Sequence, residues 1–155
     1  MRLSDAASTL TLGDSSAGTP LSGVMAKLHE GTLDYSKQRQ QFGQPIARFQ
    51  VLQHRMVDMF MEVEQAKSMT TYATLHLDKP AHERMAAVSQ CKAKVSRGAK
   101  FVGQNAIQTH GGIGITQELA IGHYFKRLTA IDTLFGDADH HLALLAAEGG
   151  LLEAA

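Results

Sequence analysis

The residues between Phe49 and Leu77 constrain this chain more than any other feature. Phe49, Leu52, Met56, Met59, Val63, Ala66, Thr70, Ala73 and Leu77 recur in alternating steps of three and four, the spacing that lines up one face of an α-helix. Only Thr70 is polar, and Asp58, Glu62, Glu64 and Lys67 fall off the stripe. A helix of about 28 residues is about 42 Å long. An apolar seam of that length needs helices alongside it, so the stripe predicts an antiparallel bundle. Asp78-Lys79-Pro80 ends the segment, since proline forbids a smooth continuation.

The flanking segments fit the same reading. Leu21, Met25, Leu28, Thr32 and Tyr35 form a second stripe, expected to stop near Gln41 because Gly43 and Pro45 follow. A third helix is expected from Ala81 to Thr109, with Val88, Cys91, Val95, Val102 and Ala106 inward and small residues frequent. A short helix over 117–126 and a last one over 139–148 complete the chain. Val and Ile are too sparse, and alternation too rare, for a sheet. The predicted fold is all-α, an antiparallel four-helix bundle. Residues 1–22 show neither period and are expected to form an irregular arm, leaving 23–150 as the helical domain.

Composition removes several functions. The 155 residues suit one domain, and 15 basic against 15 acidic residues leave no net charge, which excludes a strongly basic nucleic-acid binder. The longest apolar run, Leu142–Ala147, is far shorter than the roughly 18 residues of a membrane span. Cys91 has no partner for a disulfide, and Met1–Asp5 does not open a secretory leader, so a cytoplasmic setting is expected.

Three segments could carry chemistry. Arg39-Gln40-Gln41-Phe42-Gly43-Gln44-Pro45-Ile46 joins two helices; an Arg with Phe and a glycine turn behind it suits a phosphate and a flat ring. The same pattern is also an ordinary helix–turn–helix corner with a solvated Arg. Gln108-Thr109-His110-Gly111-Gly112-Ile113-Gly114 exposes amide donors and admits close approach. It equally reads as a helix C-cap, and no strand precedes it, so it is not a dinucleotide fingerprint. Phe135-Gly136-Asp137-Ala138-Asp139-His140-His141 places an acid and two imidazoles within a turn. That cluster suits a metal, but an acid before a helix is more often its N-cap, and no metal site is assigned. The other histidines are scattered, as surface or packed imidazoles are.

Together these segments resemble one family. Tyr35-x-x-x-Arg39-x-x-Phe42-Gly43-x-Pro45-Ile46-x-x-Phe49-Gln50-x-x-Gln53 is similar to the signature that opens the C-terminal domain of acyl-CoA dehydrogenases. Gln108-x-x-Gly111-Gly112-x-Gly114-x-x-x-Glu118 resembles the second signature, at a matching separation. The run Gly122–Thr129 followed by Phe135–His141 is similar to the small subunit of bacterial pimeloyl-CoA dehydrogenase-type enzymes. The resemblance implies an FAD flavoprotein of fatty-acid β-oxidation that converts an acyl-CoA to the trans-2-enoyl-CoA. It also implies electron-transfer flavoprotein as acceptor, and homo- or hetero-oligomers of acyl-CoA dehydrogenase chains. Carried over by position, Arg39 would meet the FAD pyrophosphate and Phe42 would pack at the cofactor. Gln50 would lie near the adenosine, and Gln108, Gly111 and Gly112 would line the same nucleotide, across a subunit interface.

Two departures from the family pattern follow. An ungapped count from Gly112 puts Phe135 where many members carry the catalytic glutamate, leaving Asp132 and Asp137 as substitutes for the base. The family's N-terminal helical and middle β-domains have no counterpart in this length. The chain therefore reads as the C-terminal part of such an enzyme, inactive by itself. The alternatives are a non-catalytic subunit that lends FAD contacts to a partner, and a metal-binding or purely structural bundle.

Overall fold

The computed structural model describes residues 3–148, with side chains placed from position 20 onward. Five helices follow in order: α1 Leu3–Gln38, α2 Gln50–Leu75, α3 Ala81–His110, α4 Ala120–Asp132 and α5 Ala138–Ala147. Short 3-10 turns occupy Ile46–Arg48 and Gly111–Ile115.

Direction along the bundle can be read from named contacts. His29 of α1 meets the Met56 carbonyl of α2 at 3.1 Å, and Lys94 of α3 pairs with Glu62 at 2.8 Å. Tyr35 near the end of α1 stacks on His110 at the end of α3. Helices α1 and α3 are therefore parallel, and α2 runs against both. Down α3, Gly103 meets Phe125, Lys92 reaches the Ile131 and Asp132 carbonyls, Ser89 meets His141, and Gln90 and Ala86 line a groove with Leu145. Helices α4 and α5 thus both run opposite to α3, nearly end to end. They form the fourth strand of the bundle, broken at 133–137, which reconciles five helices with a four-helix architecture.

The stripe on α2 faces inward as its spacing requires. Met56, Met59, Val63, Ala66 and Ala73 are buried, while Leu52 and Thr70 are half-buried. Thr70 stays satisfied by donating to the Ala66 carbonyl at 2.8 Å. Beyond its first turn, helix α3 is buried on all but one stripe, which runs through Gln90, Arg97, Phe101, Gln104 and Gln108, and its small residues explain how. A Cβ at Gly98 would stand 2.6 Å from a Glu62 oxygen, and one at Gly103 would stand 2.7 Å from Phe125. Bare backbone at these positions lets α2 and α4 close on α3.

Two expectations change. Residues 3–22 are not an irregular arm: α1 is continuous from Leu3, with Pro20 inside it. Pro20 removes one rung and its N–H, but Leu21, Met25 and Leu28 just beyond it are fully buried, and that packing holds the helix on which the earlier turns propagate. Helix α1 also stops at Gln38 rather than Gln41, because Gln40–Gln41 pairs with Gln44–Pro45 as strands β1 and β2 of a minimal antiparallel hairpin. The loop residues Phe42 and Gly43 have φ of 54° and 77°, the positive values a two-residue hairpin turn demands.

Because Leu52 is only half-buried, Met59 is the sharper probe of the seam. Met59→Ala should cost about 2–5 kcal/mol, while its exposed neighbour Val57→Ala should stay within about 0.5 kcal/mol. Chemical denaturation of both variants checks the assigned face.

Candidate functional site

The hairpin corner is built from backbone outward. The Arg39 amide donates to the Tyr35 carbonyl at 2.8 Å, and the Arg39 carbonyl accepts from Ile46 at 2.8 Å. Gln53 Nε2 donates to the Ala47 carbonyl at 3.0 Å, fixing the start of α2. These bonds hold the corner while leaving Arg39 and Gln50 exposed. Among the described residues no carboxylate pairs with the Arg39 guanidinium. Phe42 is 92% exposed, in a left-handed conformation that costs a bulky residue energy, and its one ring contact is Phe49, edge-on at 6.0 Å.

The glycine turn sits at the same end of the bundle. Gly111 caps α3 with φ 66° and ψ −143°, a region only glycine enters freely. Nothing lies within 4 Å of the Cβ positions of Gly111 or Gly112, and Gln108 is also exposed. Gly114 is the opposite case: a Cβ there would press to 2.9 Å on His110 and 3.1 Å on the Ile107 carbonyl. A Cβ at Gly122 would stand 3.1 Å from the Gly114 carbonyl. Two open glycines and one close-packed one therefore share this turn, and Gly122 of α4 packs against it. Between the two corners, the Tyr35 and His110 rings stack at 4.2 Å and 26°.

The segment near the counted base position is held differently. Phe135 has φ 62° and its side chain is roughly half exposed. Its carbonyl accepts from His141 Nε2 at 3.1 Å, so the buried His141 ring presents Nδ1 to the Ser89 hydroxyl, which donates at 3.2 Å. Asp137 is the N-cap of α5, accepting from the His140 amide at 2.9 Å. That bond holds its carboxyl below the usual range, which suits a cap and weakens a base. Asp132 is half-buried at the end of α4, with one carboxylate oxygen buried and without a hydrogen bond. The Asp137, His140 and His141 donors thus diverge, and no group of three metal-ligating side chains gathers among the described residues.

Sequence reasoning missed the buried polar groups. Lys92 is 1% exposed, and its ammonium reaches the last carbonyls of α4, an inward counterpart of C-terminal capping. Its position one residue after Cys91 and four after Val88 puts it on the apolar arc, the signal that could have found it. His141 lies four positions before the buried Leu145, which likewise marks it as inward.

Burial pushes both the His110 and the His141 imidazoles below the ordinary range, against the opposing pull of their carbonyl hydrogen bonds. The unfolded chain therefore takes up protons first as pH falls below about 6.5. Stability is complete above that pH and declines below it, by up to about 1.4 kcal/mol per pH unit for each imidazole. A falling melting temperature from pH 7 to 5, with a smaller slope in His110→Phe, is expected from differential scanning calorimetry.

The acyl-CoA dehydrogenase C-terminal domain family matches residues 6–150 of the chain. The acyl-CoA dehydrogenase IpdE2 of Mycolicibacterium smegmatis is 35% identical over 131 residues, covering 81% of this chain and 39% of that protein. An L-prolyl-(peptidyl-carrier protein) dehydrogenase of Serratia sp. is 33% identical over 129 residues, covering 83% of this chain and 33% of its own length. The chain thus spans well under half the length of these curated relatives. The structure of PigA with FAD and proline superposes with a TM-score of 0.82 at 30% identity, covering 92% of this chain and 37% of PigA. Butyryl-CoA dehydrogenase from Megasphaera elsdenii superposes at 0.84 with 26% identity, covering 95% and 37%. With one family matching nearly its whole length, on a bundle shared with those enzymes, the chain belongs to the acyl-CoA dehydrogenase family, as its C-terminal domain.

Proposed function

We propose that this chain contributes the FAD-nucleotide contacts and part of the oligomer interface of an acyl-CoA dehydrogenase. The observation that carries the reading is the juxtaposition of the Arg39 corner and the Gly111–Gly112 turn at one end of the bundle, both open to solvent.

The residues suit the cofactor. A permanent cation without a carboxylate partner fits a diphosphate, which Arg can hold bidentately. Bare glycine backbone leaves room for a nucleotide to approach the amides. Gln108 and Gln50 add amide groups for the adenosine side, and the exposed Phe42 offers an aromatic face. The flavin supplies the hydride acceptor for α,β-dehydrogenation of an acyl-CoA thioester, with an electron-transfer flavoprotein as the electron acceptor. This chain's residues bind and orient the nucleotide across a subunit boundary. Exposed Val51, Val57, Phe60 and Met61 on α2 provide apolar surface for other domains or chains.

Removal of the α-proton needs a base. Phe135 has no group that accepts a proton, and Asp137 is engaged as a cap, so Asp132 is the remaining substitute within the segment. Phe135 also favours a second reading: a non-catalytic subunit that lends its nucleotide contacts to a partner chain carrying the base.

A pyrophosphate contact acts on binding rather than on the reacting carbons. Arg39→Ala in the assembled flavoprotein should therefore weaken FAD about 10- to 150-fold, with turnover of the FAD-saturated enzyme changed far less. Unchanged FAD affinity by titration would remove Arg39 from the site. The 155-residue chain alone, expressed with FAD, should be colourless and inactive in an acyl-CoA assay with an artificial electron acceptor. Yellow protein with turnover would overturn the assignment of activity to a larger assembly.

A further inference from the structure

We infer that Tyr35 and His110 are a positioning pair whose ring stack sets the separation between the Arg39 corner and the Gly111–Gly112 turn. The inference rests on the reading of that end of the bundle as a nucleotide site. It assigns a role to two side chains that are not themselves proposed to touch the ligand.

Each ring is tied to one corner through the backbone. Tyr35 precedes Arg39 by one helical turn, and its carbonyl accepts the Arg39 amide at 2.8 Å. His110 immediately precedes Gly111, and its buried ring donates from Nδ1 to the Ala106 carbonyl at 2.8 Å. The 3-10 turn folds back on His110 closely enough that a Cβ at Gly114 would lie 2.9 Å from the His110 Cβ. The imidazole is thus held by its own helix on one side and by Gly114 on the other. Tyr35 then stacks on it at 4.2 Å and 26°. Among the described residues this is the one ring contact between α1 and α3.

A ligand gripped by a cation on one corner and bare amides on the other needs a fixed distance between them. Without the stack, the last turns of α1 and α3 would adjust on binding, and that ordering would be subtracted from affinity. Offset-stacked rings hold separation while tolerating exchange for another aromatic. Replacement of Tyr35 by phenylalanine should therefore keep the function, and replacement of either ring by leucine should remove it.

The test has two arms. In the 155-residue chain, Tyr35→Leu and His110→Leu should speed amide hydrogen exchange at Gly111–Gly114, while Tyr35→Phe leaves it unchanged. In the assembled flavoprotein, each leucine variant should raise the FAD Kd about three- to ten-fold. The double leucine variant should be no worse than either single one, and Tyr35→Phe should stay within about two-fold. Arg39→Ala in the same titration separates the two claims. If Arg39→Ala weakens FAD and the leucine variants do not, the positioning role is overturned and the nucleotide site stands. If Arg39→Ala is without effect, the nucleotide site itself fails. A Tyr35→Phe variant as damaged as Tyr35→Leu would show that ring stacking is not the cause, and would overturn the role.

Discussion

Everything in this structure is arranged around α3 (Ala81–His110), which is covered by α1, α2, and the α4–α5 pair in turn. Such a helix must be narrow. Gly98 admits the Glu62 carboxylate and Met25, and Gly103 admits the Phe125 ring. A side chain at either position would push a neighbour outward and widen the groove in which the others sit. Because α3 is held by neighbours on every side but one exposed stripe, both of its ends are fixed too. Its C-terminus carries His110 and the glycine turn, and that rigidity passes to the exposed backbone of Gly111 and Gly112.

The polar groups buried against α3 do a related job at the other end. Lys92 holds the last carbonyls of α4, and the His141 ring bridges Ser89 and the Phe135 carbonyl. The break between α4 and α5 is therefore a fastened corner, with Asp137 capping the new helix. Buried polar groups are costly unless satisfied, and this network makes the corner's geometry specific. It also accounts for a left-handed Phe135, a conformation that persists only where surroundings dictate it.

Much of this was legible in the sequence. The three–four stripe of α2 was recovered because Met56, Met59, Val63, Ala66 and Ala73 face a long partner, so periodicity and burial coincide. The ends of α3 were legible because Pro80 and Gly111 act locally. The Arg39 and Gly111 segments were legible as corners, and the structure brings them to one end of the bundle through the Tyr35–His110 contact. Other features depend on contacts distant in sequence. Residues 3–22 carry Ser, Thr, Gly and Pro20, which locally argue against a helix, yet α1 runs through them from a packed downstream half. The hairpin at Gln40–Pro45 is too short for any alternation to show. Lys92, Ser89 and His141 are polar residues on inward arcs, and only the packing of α4 and α5 supplies their partners.

The central claim is that two corners of this bundle grip one nucleotide. A crystal structure of the assembled flavoprotein with FAD tests it most directly. The Arg39 guanidinium is expected within hydrogen-bonding distance of the pyrophosphate, with the Gly111–Gly112 backbone against the same FAD molecule. FAD bound elsewhere, with Arg39 and both glycines facing only solvent or protein, would contradict it.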